Sequence, residues 1–271
     1  MALIIRVYRL FNLLSIDVVA GAVISAIFFA RIFQVSIRPY GLIALGLTVW
    51  IIYTTDHLRD ARKITGLAAT KRHRFHQVHN KKLTTLLAVA VVADIVVIFF
   101  IRQRVFEWGV VLSLVVLTYL FIHRSLAIFK EVLIAVLYTC GVLLPSVPVS
   151  NTVWQASHYL LIVQFGIVAL TNLFMFSWFD RELDKQDNLN SIVISAGEPV
   201  TRKSIWYLFV SLGLLTLVQC LWGDLTIPAL ILGLMGLLLL LIFLFRSNFT
   251  GNDYYRFLGD GVFFIPIIFL L

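Results

Sequence analysis

Two aspartate pairs are the residues in this chain whose type and spacing most clearly suggest chemistry. Asp56 and Asp60 stand four residues apart in Asp56-His57-Leu58-Arg59-Asp60. Asp180 and Asp184 repeat the spacing in Asp180-Arg181-Glu182-Leu183-Asp184. On a helix, residues four apart lie about 40° apart around the axis, so each pair turns two carboxylates the same way. Like charges at that spacing repel, and a hard divalent cation with a preference for oxygen offsets the repulsion. Two such pairs facing each other would make a four-carboxylate cup. Magnesium ions would neutralise it and leave open positions for phosphate oxygens. A single pair is often no more than a solvated helix end, and it is the recurrence that gives the motif weight.

Basic residues flank both pairs. The first loop carries Arg59, Arg62, Lys63, Lys71, Arg72 and Arg74, and the second carries Arg181, Lys185, Arg202 and Lys203. Any one of them is as well explained by pairing with a neighbouring carboxylate or by setting topology. As a group beside a metal cup they suit a diphosphate, with Arg59, Arg62, Lys63, Arg72 and Lys185 as the candidate contacts. His73, His76 and His79 recur every three residues. That spacing drifts around a helix and no carboxylate or thiolate completes a transition-metal set, so the run reads as a polar loop with phosphate contacts open to it. Asp17, Asp94 and Asp260 interrupt apolar stretches, and ionisable residues in such places are functional suspects. Asp17 and Asp260 suit binding an acceptor or pairing with a buried cation, and a structural hydrogen bond is the plain alternative. Asn172 lies eight residues before Asp180 on roughly the same helix face, where it would line a cavity or bridge helices.

The elements that must position these groups are set by the composition. The chain has 271 residues, 61% of them hydrophobic and 13% charged, against about 25% charged and 45–50% apolar in a soluble domain. A core of this length could not hide so many apolar side chains, so the bilayer is the expected solvent. The expectation is an all-α polytopic bundle forming one domain over 1–271, with nine spans near 10–30, 40–56, 83–101, 106–123, 131–150, 156–179, 204–222, 226–245 and 255–271. With nine spans, 18 of the 22 Lys and Arg fall on the side of the N-terminus and of both aspartate motifs. The positive-inside rule then puts that side in the cytoplasm, in an inner-membrane setting. The same rule accounts for the net charge of +8 without nucleic acid as a partner. The N-terminal stretch is too long, and lacks a clear cleavage site, for a signal peptide. Cys140 and Cys220 have no metal or disulfide spacing and read as small buried hydrophobes.

At the two aspartate motifs the sequence resembles the UbiA superfamily of intramembrane prenyltransferases, a family with nine spans and Asp-rich motifs after spans 2 and 6. Asp180 to Asp184, followed by a polar stretch to Ser191 and Gly197, fits the second motif. The family's Tyr-x-x-x-Lys at the end of span 4 has its counterpart in Tyr119, followed by His123 and Arg124. A Lys-Glu pair opening span 5 appears as Lys130-Glu131, and Arg9-Leu10-Phe11-Asn12 is similar to an Arg-Pro-x-Asn pattern without its proline. Ile52 stands where the first motif has asparagine, so a first ion would rely on Asp56, Asp60, water and diphosphate.

The resemblance implies a magnesium-dependent transfer of a polyprenyl group from its diphosphate to a hydrophobic acceptor, aromatic or lipid-like, through an allylic cation. Asp56, Asp60, Asp180 and Asp184 would hold the metal. Arg124 and Lys130 would join the diphosphate contacts. Asn12, Asp17, Tyr119, His123, Tyr138, Asn172 and Trp178 would line the substrate pocket, where aromatic faces shelter a cation, although core packing and interfacial belts are the commoner uses of tyrosine and tryptophan. The same cup would serve a terpene cyclase in which the cation is captured by its own chain. A transporter or membrane assembly protein is the non-enzymatic alternative, and transporters tend to place their ligand at midplane helix breaks.

Overall fold

A computed structural model describes residues 2–122 and 129–271, and every described regular element is helical. In chain order the α-helices are α1 (Ala2–Leu13), α2 (Ile16–Ile32), α3 (Pro39–Lys63), α4 (Lys71–Val78), α5 (Asn80–Ile98), α6 (Gln103–Ile122), α7 (Lys130–Leu143), α8 (Ala156–Gln186), α9 (Ile192–Ala196), α10 (Glu198–Trp222), α11 (Thr226–Leu244), α12 (Arg246–Phe249) and α13 (Tyr254–Gly261). Short 3-10 turns follow α7 at Val147–Val149 and α12 at Gly251–Asp253. A longer 3-10 segment, Val262–Phe269, continues α13 around Pro266.

Among the described residues, six helices are long and apolar enough to cross a membrane: α3, α6, α7 with the turn that extends it to Val149, α8, α10 and α11. Their outward faces are consistent with lipid contact, since Val111 and Leu114 on α6 and Val210, Leu214, Leu217 and Leu221 on α10 are all exposed. Exposed apolar surface on that scale marks contact with lipid or protein. The other three expected spans differ in build. The stretch 10–30 is not one helix, because Ser15 at φ 56° separates α1 from α2. α5 opens on Lys81 and Lys82, which lower its apolar character. The last stretch is eight residues of α-helix and eight of 3-10 helix, together about 28 Å long at the usual rises.

The core gathers around α2, α8 and α11. Ala22, Ala26, Phe28 and Phe29 of α2, Leu161, Phe165 and Val168 of α8, and Leu232, Met235 and Leu239 of α11 have no solvent exposure. Where α8, α10 and α11 meet, Gln164 Nε2 donates to Thr216 Oγ1 (2.8 Å) and to the Ala229 carbonyl (3.1 Å), and Gln219 Nε2 donates to Gln164 Oε1 (2.6 Å). Interhelical side-chain bonds of this kind hold apolar helices in register. Cys140 departs from expectation: it is exposed, on the outward face of α7, because the 3.6-residue period puts it opposite the face that carries buried Ala135, Thr139 and Val142.

α2 approaches the terminal 3-10 segment so closely that a Cβ on Gly21 would lie 2.7 Å from Phe263 Cβ. That atom is fixed by the backbone and cannot swing away. Gly21→Ala is therefore expected to destabilise the protein by about 1–3 kcal/mol through overpacking, seen as a lowered Tm in detergent. Gly213→Ala, with nothing within 4 Å of the added carbon, is the matched control and should leave Tm unchanged or slightly raised.

Candidate functional site

The two helices that carry the aspartate pairs are longer than the hydrocarbon core of a bilayer is thick. α3 with 25 residues and α8 with 31 are about 37 and 46 Å long at 1.5 Å per residue, against a hydrocarbon core of about 30 Å. Both end in their aspartate pair, so the surplus turns carry the carboxylates. The structure brings the two pairs together: Asp56, Asp60, Asp180 and Asp184 all line one cavity of about 230 Å³.

The cavity is graded along its length. On α8 its wall runs from Asp184 and Asp180 through Ser177 and Phe176 to Asn172 and Ala169, about 22 Å of helix. α3 contributes Asp60, Asp56, Tyr53 and Ile52 in the same sense, and α7 contributes Lys130, Glu131, Ile134 and Tyr138. Charge sits at one end on all three helices, and aliphatic and aromatic side chains sit deeper, where Val18 and Phe263 join them.

Six carboxylates line the cavity (the four aspartates, Glu131 and Asp260) against three fixed cations, Arg72, Lys130 and Arg256. The partners are specific. Asp180, only 3% exposed, accepts from Tyr255 through Oδ1 and from Arg256 through Oδ2. Lys63 Nζ pairs with Asp60 Oδ1 at 2.5 Å. Glu131 Oε1 accepts from the Ile192 backbone N–H at 2.8 Å and fixes the start of α9.

A buried polar cluster runs from the wall to the residues behind it. Asn12 Nδ2 donates to Asp17 Oδ2 (2.5 Å) and Asp260 Oδ2 (3.4 Å), Asn172 Nδ2 donates to Asp260 Oδ1 (3.5 Å), and Arg72 Nη2 donates to Asn12 Oδ1 (3.3 Å). It ties α1, α2, α4, α8 and α13 to one point.

The two loops beyond the aspartates are folded over the site. Thr70 caps α4, its Oγ1 accepting from the His73 N–H at 3.2 Å. Gln77 braces the preceding loop, donating to the carbonyls of Ala61 (3.1 Å) and Gly66 (3.0 Å) and accepting from the Ala68 N–H (3.0 Å). Asp187, just past α8, accepts from the Ala69 N–H at 2.8 Å and lies 3.9 Å from His73 Nδ1. One loop thus anchors the other. Burial pushes the His73 imidazole down from 6.5 to about 4; Asp60 and Asp187 act against the shift, and Arg256 and Arg72 add to it. Burial also lowers His76, whose Nδ1 lies 2.9 Å from the Arg72 carbonyl.

Of the residues singled out in the sequence, Arg72, His73, Lys130, Glu131, Tyr119, Tyr138, Asn172 and Asp260 join the four aspartates on the cavity wall. Asn12 and Asp17 stand one layer behind, in the polar cluster. Arg59 turns to the Leu120 carbonyl (2.8 Å), Arg62 to Asn80 and Thr84 (3.1 Å each), and Lys185 to Glu182 (3.6 Å). None of these three, nor Lys63, lines the cavity. Trp178, 2% exposed, packs on Phe243 in the core, because two residues of helix turn it away from Asp180. His123 and Arg124 lie outside the described residues. Asp94, half-buried, accepts from Thr48 Oγ1 at 2.8 Å, away from the cavity.

Tyr53, Phe176, Tyr255 and Arg256 were missed as site residues. Tyr53 and Phe176 precede Asp56 and Asp180 by three and four positions and share their faces, a signal readable from spacing alone. Tyr255 and Arg256 carry no such local signal.

The donor set is all oxygen, as magnesium requires, and two wall oxygens, Glu131 Oε2 and Asn172 Oδ1, are buried without a hydrogen-bond partner. Among the described residues no three His, Cys, Asp or Glu side chains stand close enough together to hold an ion by themselves. A magnesium ion placed here would need water or ligand oxygens to complete its shell, since the wall offers no all-protein cage among the described residues. No protein-family model, curated protein or solved structure matches the chain.

His73 is held neutral in the fold, whereas the unfolded chain takes up a proton near pH 6.5. Stability is then intact above about 6.5 and is lost as pH falls towards 4. Thermal unfolding in detergent should show Tm level at pH 7–8 and declining from 6.5 to 4, with a shallower decline in His73→Gln. A wild-type profile flat across that window would contradict the assignment.

Proposed function

We propose that the chain is a magnesium-dependent intramembrane prenyltransferase of the UbiA type, with nine spans and its aspartate end in the cytoplasm. The observation that carries this reading is the graded cavity: four aspartates from two helices at one end, and an apolar, aromatic-lined channel leading away from them. That shape suits a ligand with a charged head and a long apolar tail. The excess of carboxylates over fixed cations supports a metal, because a diphosphate alone would enter a net negative site.

Asp56, Asp60, Asp180 and Asp184 would hold magnesium, which supplies charge neutralisation and Lewis acidity at the diphosphate oxygens. The chain's own part is electrostatic and positional. Lys130, beside Asp56, Asp60 and Asp184, is the fixed cation at the head-group end, where it would stabilise the charge that develops on a departing diphosphate. Arg72 lies on the same wall beside Asp260. Tyr53, Tyr138 and Phe176 present ring faces deeper in the cavity, where they stabilise an allylic cation and exclude water. Asp260 and Asn172, farther along the wall, offer oxygen acceptors to an acceptor hydroxyl.

Two further readings differ in outcome. A terpene cyclase would use the same cavity without an acceptor, and Ile52 on its wall keeps that reading in play. A transporter is less well supported, since α3 and α8 run unbroken past the carboxylates.

Purified protein incubated with a panel of prenyl diphosphates, with and without magnesium and with and without aromatic acceptors, should give prenylated acceptor only when metal is present, read by mass spectrometry. Hydrocarbon products without an acceptor would favour cyclisation. Asp56→Asn and Asp184→Asn are each expected to lower kcat/KM on the order of 10²–10³-fold while membrane insertion is unchanged. Full activity in either variant would reject the assignment.

A further inference from the structure

The reading above leaves Arg256 without a role, yet it is the most committed cation in the cavity. It enters from α13, lies over the Phe176 ring with its guanidinium carbon 5.2 Å from the centroid, and bonds Asp180 Oδ2. Tyr255, next to it in sequence and stacked on Phe179 at 4.5 Å between centroids, occupies Oδ1. Both oxygens of one motif aspartate are thus taken by donors from a single short helix. A divalent cation arriving at Asp180 would meet a guanidinium on the same carboxylate, and two positive groups on one acceptor repel each other.

We propose that Arg256 is an internal counter-ion that holds the cation's place on Asp180 and passes to the diphosphate when metal and substrate enter together. The inference rests on the proposed function, because it takes Asp180 as a metal ligand. Its chemistry is that of a guanidinium, a planar fork that serves a carboxylate and a phosphate equally well. Arg256 already lines the cavity, so the transfer requires a change of side-chain torsions and no movement of α13. The consequence is coupling: metal alone binds weakly because it must displace Arg256, and diphosphate improves metal binding by giving the guanidinium another partner. Tyr255 is neutral and competes for the oxygen without the charge.

The test is binding of Mn²⁺ to the purified full-length protein in detergent, followed by electron paramagnetic resonance, alone and with geranyl thiolodiphosphate, which does not turn over. In wild type the thiolodiphosphate should tighten Mn²⁺ binding about tenfold or more. Arg256→Gln should bind Mn²⁺ alone about tenfold tighter than wild type and should lose most of the coupling to thiolodiphosphate. Tyr255→Phe, which keeps the guanidinium, should change Mn²⁺ affinity far less. A purely structural salt bridge would give the reverse, with Arg256→Gln lowering Tm and leaving Mn²⁺ affinity equal or weaker, and that result overturns the proposal. Equal tightening in Tyr255→Phe also overturns it, since general loosening would then explain the effect. Should Arg256→Gln prove unstable, wild type still decides: Mn²⁺ bound as tightly alone as with thiolodiphosphate leaves the counter-ion no role. No Mn²⁺ binding by wild type under either condition refutes the parent reading instead.

Discussion

Carboxylates cannot share a confined site on apolar helices unless each is given something to offset its charge. Desolvation and mutual repulsion both disfavour the ionised forms, and an uncompensated buried charge costs several kcal/mol. Six carboxylates meet around this cavity, and much of the surrounding architecture can be read as the compensation. Arg256 and Tyr255 come from α13 to Asp180. Arg72 comes from α4 to the cluster around Asp260. The Ile192 N–H comes from α9 to Glu131, and Lys63 folds back on Asp60. Segments far apart in the chain converge on one end of the molecule because the charges there require it.

That convergence also fixes packing tolerances. α13 must lie flat against α8 for Arg256 to reach Asp180, and Gly259 makes this possible. A Cβ there would sit 2.7 Å from both Asn172 Oδ1 and Phe176 Cε1. On the opposite side of α13, Tyr8 donates to the Phe257 carbonyl at 3.1 Å, and its ring lies 3.4 Å from that of Phe257 between centroids. The N-terminal helix therefore braces the helix that supplies the counter-ion. The loops behave likewise, since Asp187 anchors the loop that leads into α4, the helix that carries Arg72.

What the sequence made legible follows from the range of the interactions involved. The aspartate pairs could be read because four-residue spacing on a helix is a local fact, and the same register reaches Tyr53 and Asn172. The partners of Asp180 could not be read: they lie 75 and 76 residues away, and nothing in Tyr254-Tyr255-Arg256 distinguishes an arginine at a span boundary from one that points into a site. Arg59, Arg62 and Lys185 looked equally suited to a phosphate by proximity in sequence, yet helix geometry turns each to a different neighbour. The all-helical class and the apolar helices followed from composition. The division of 10–30 did not, because it depends on the left-handed backbone of the single residue Ser15.

The position of the charges along the helices also bears on what kind of protein this is. A carrier must expose its ligand to both sides in turn, and it commonly does so with helices broken near the middle of the membrane. Here α3 and α8 continue without interruption from the apolar depth to the aspartates, and the loop after α3 is bonded through the Ala69 N–H to Asp187, just past α8. Under the proposed function, such continuity suits a site that holds a departing anion in place while a reactive carbon stays in dry surroundings. On the proposed reading, Ile52 sharpens this further. With an aliphatic side chain in place of an amide and Arg256 on Asp180, an ion held by the other aspartates would complete its shell with diphosphate oxygens, so the diphosphate itself becomes part of the metal site.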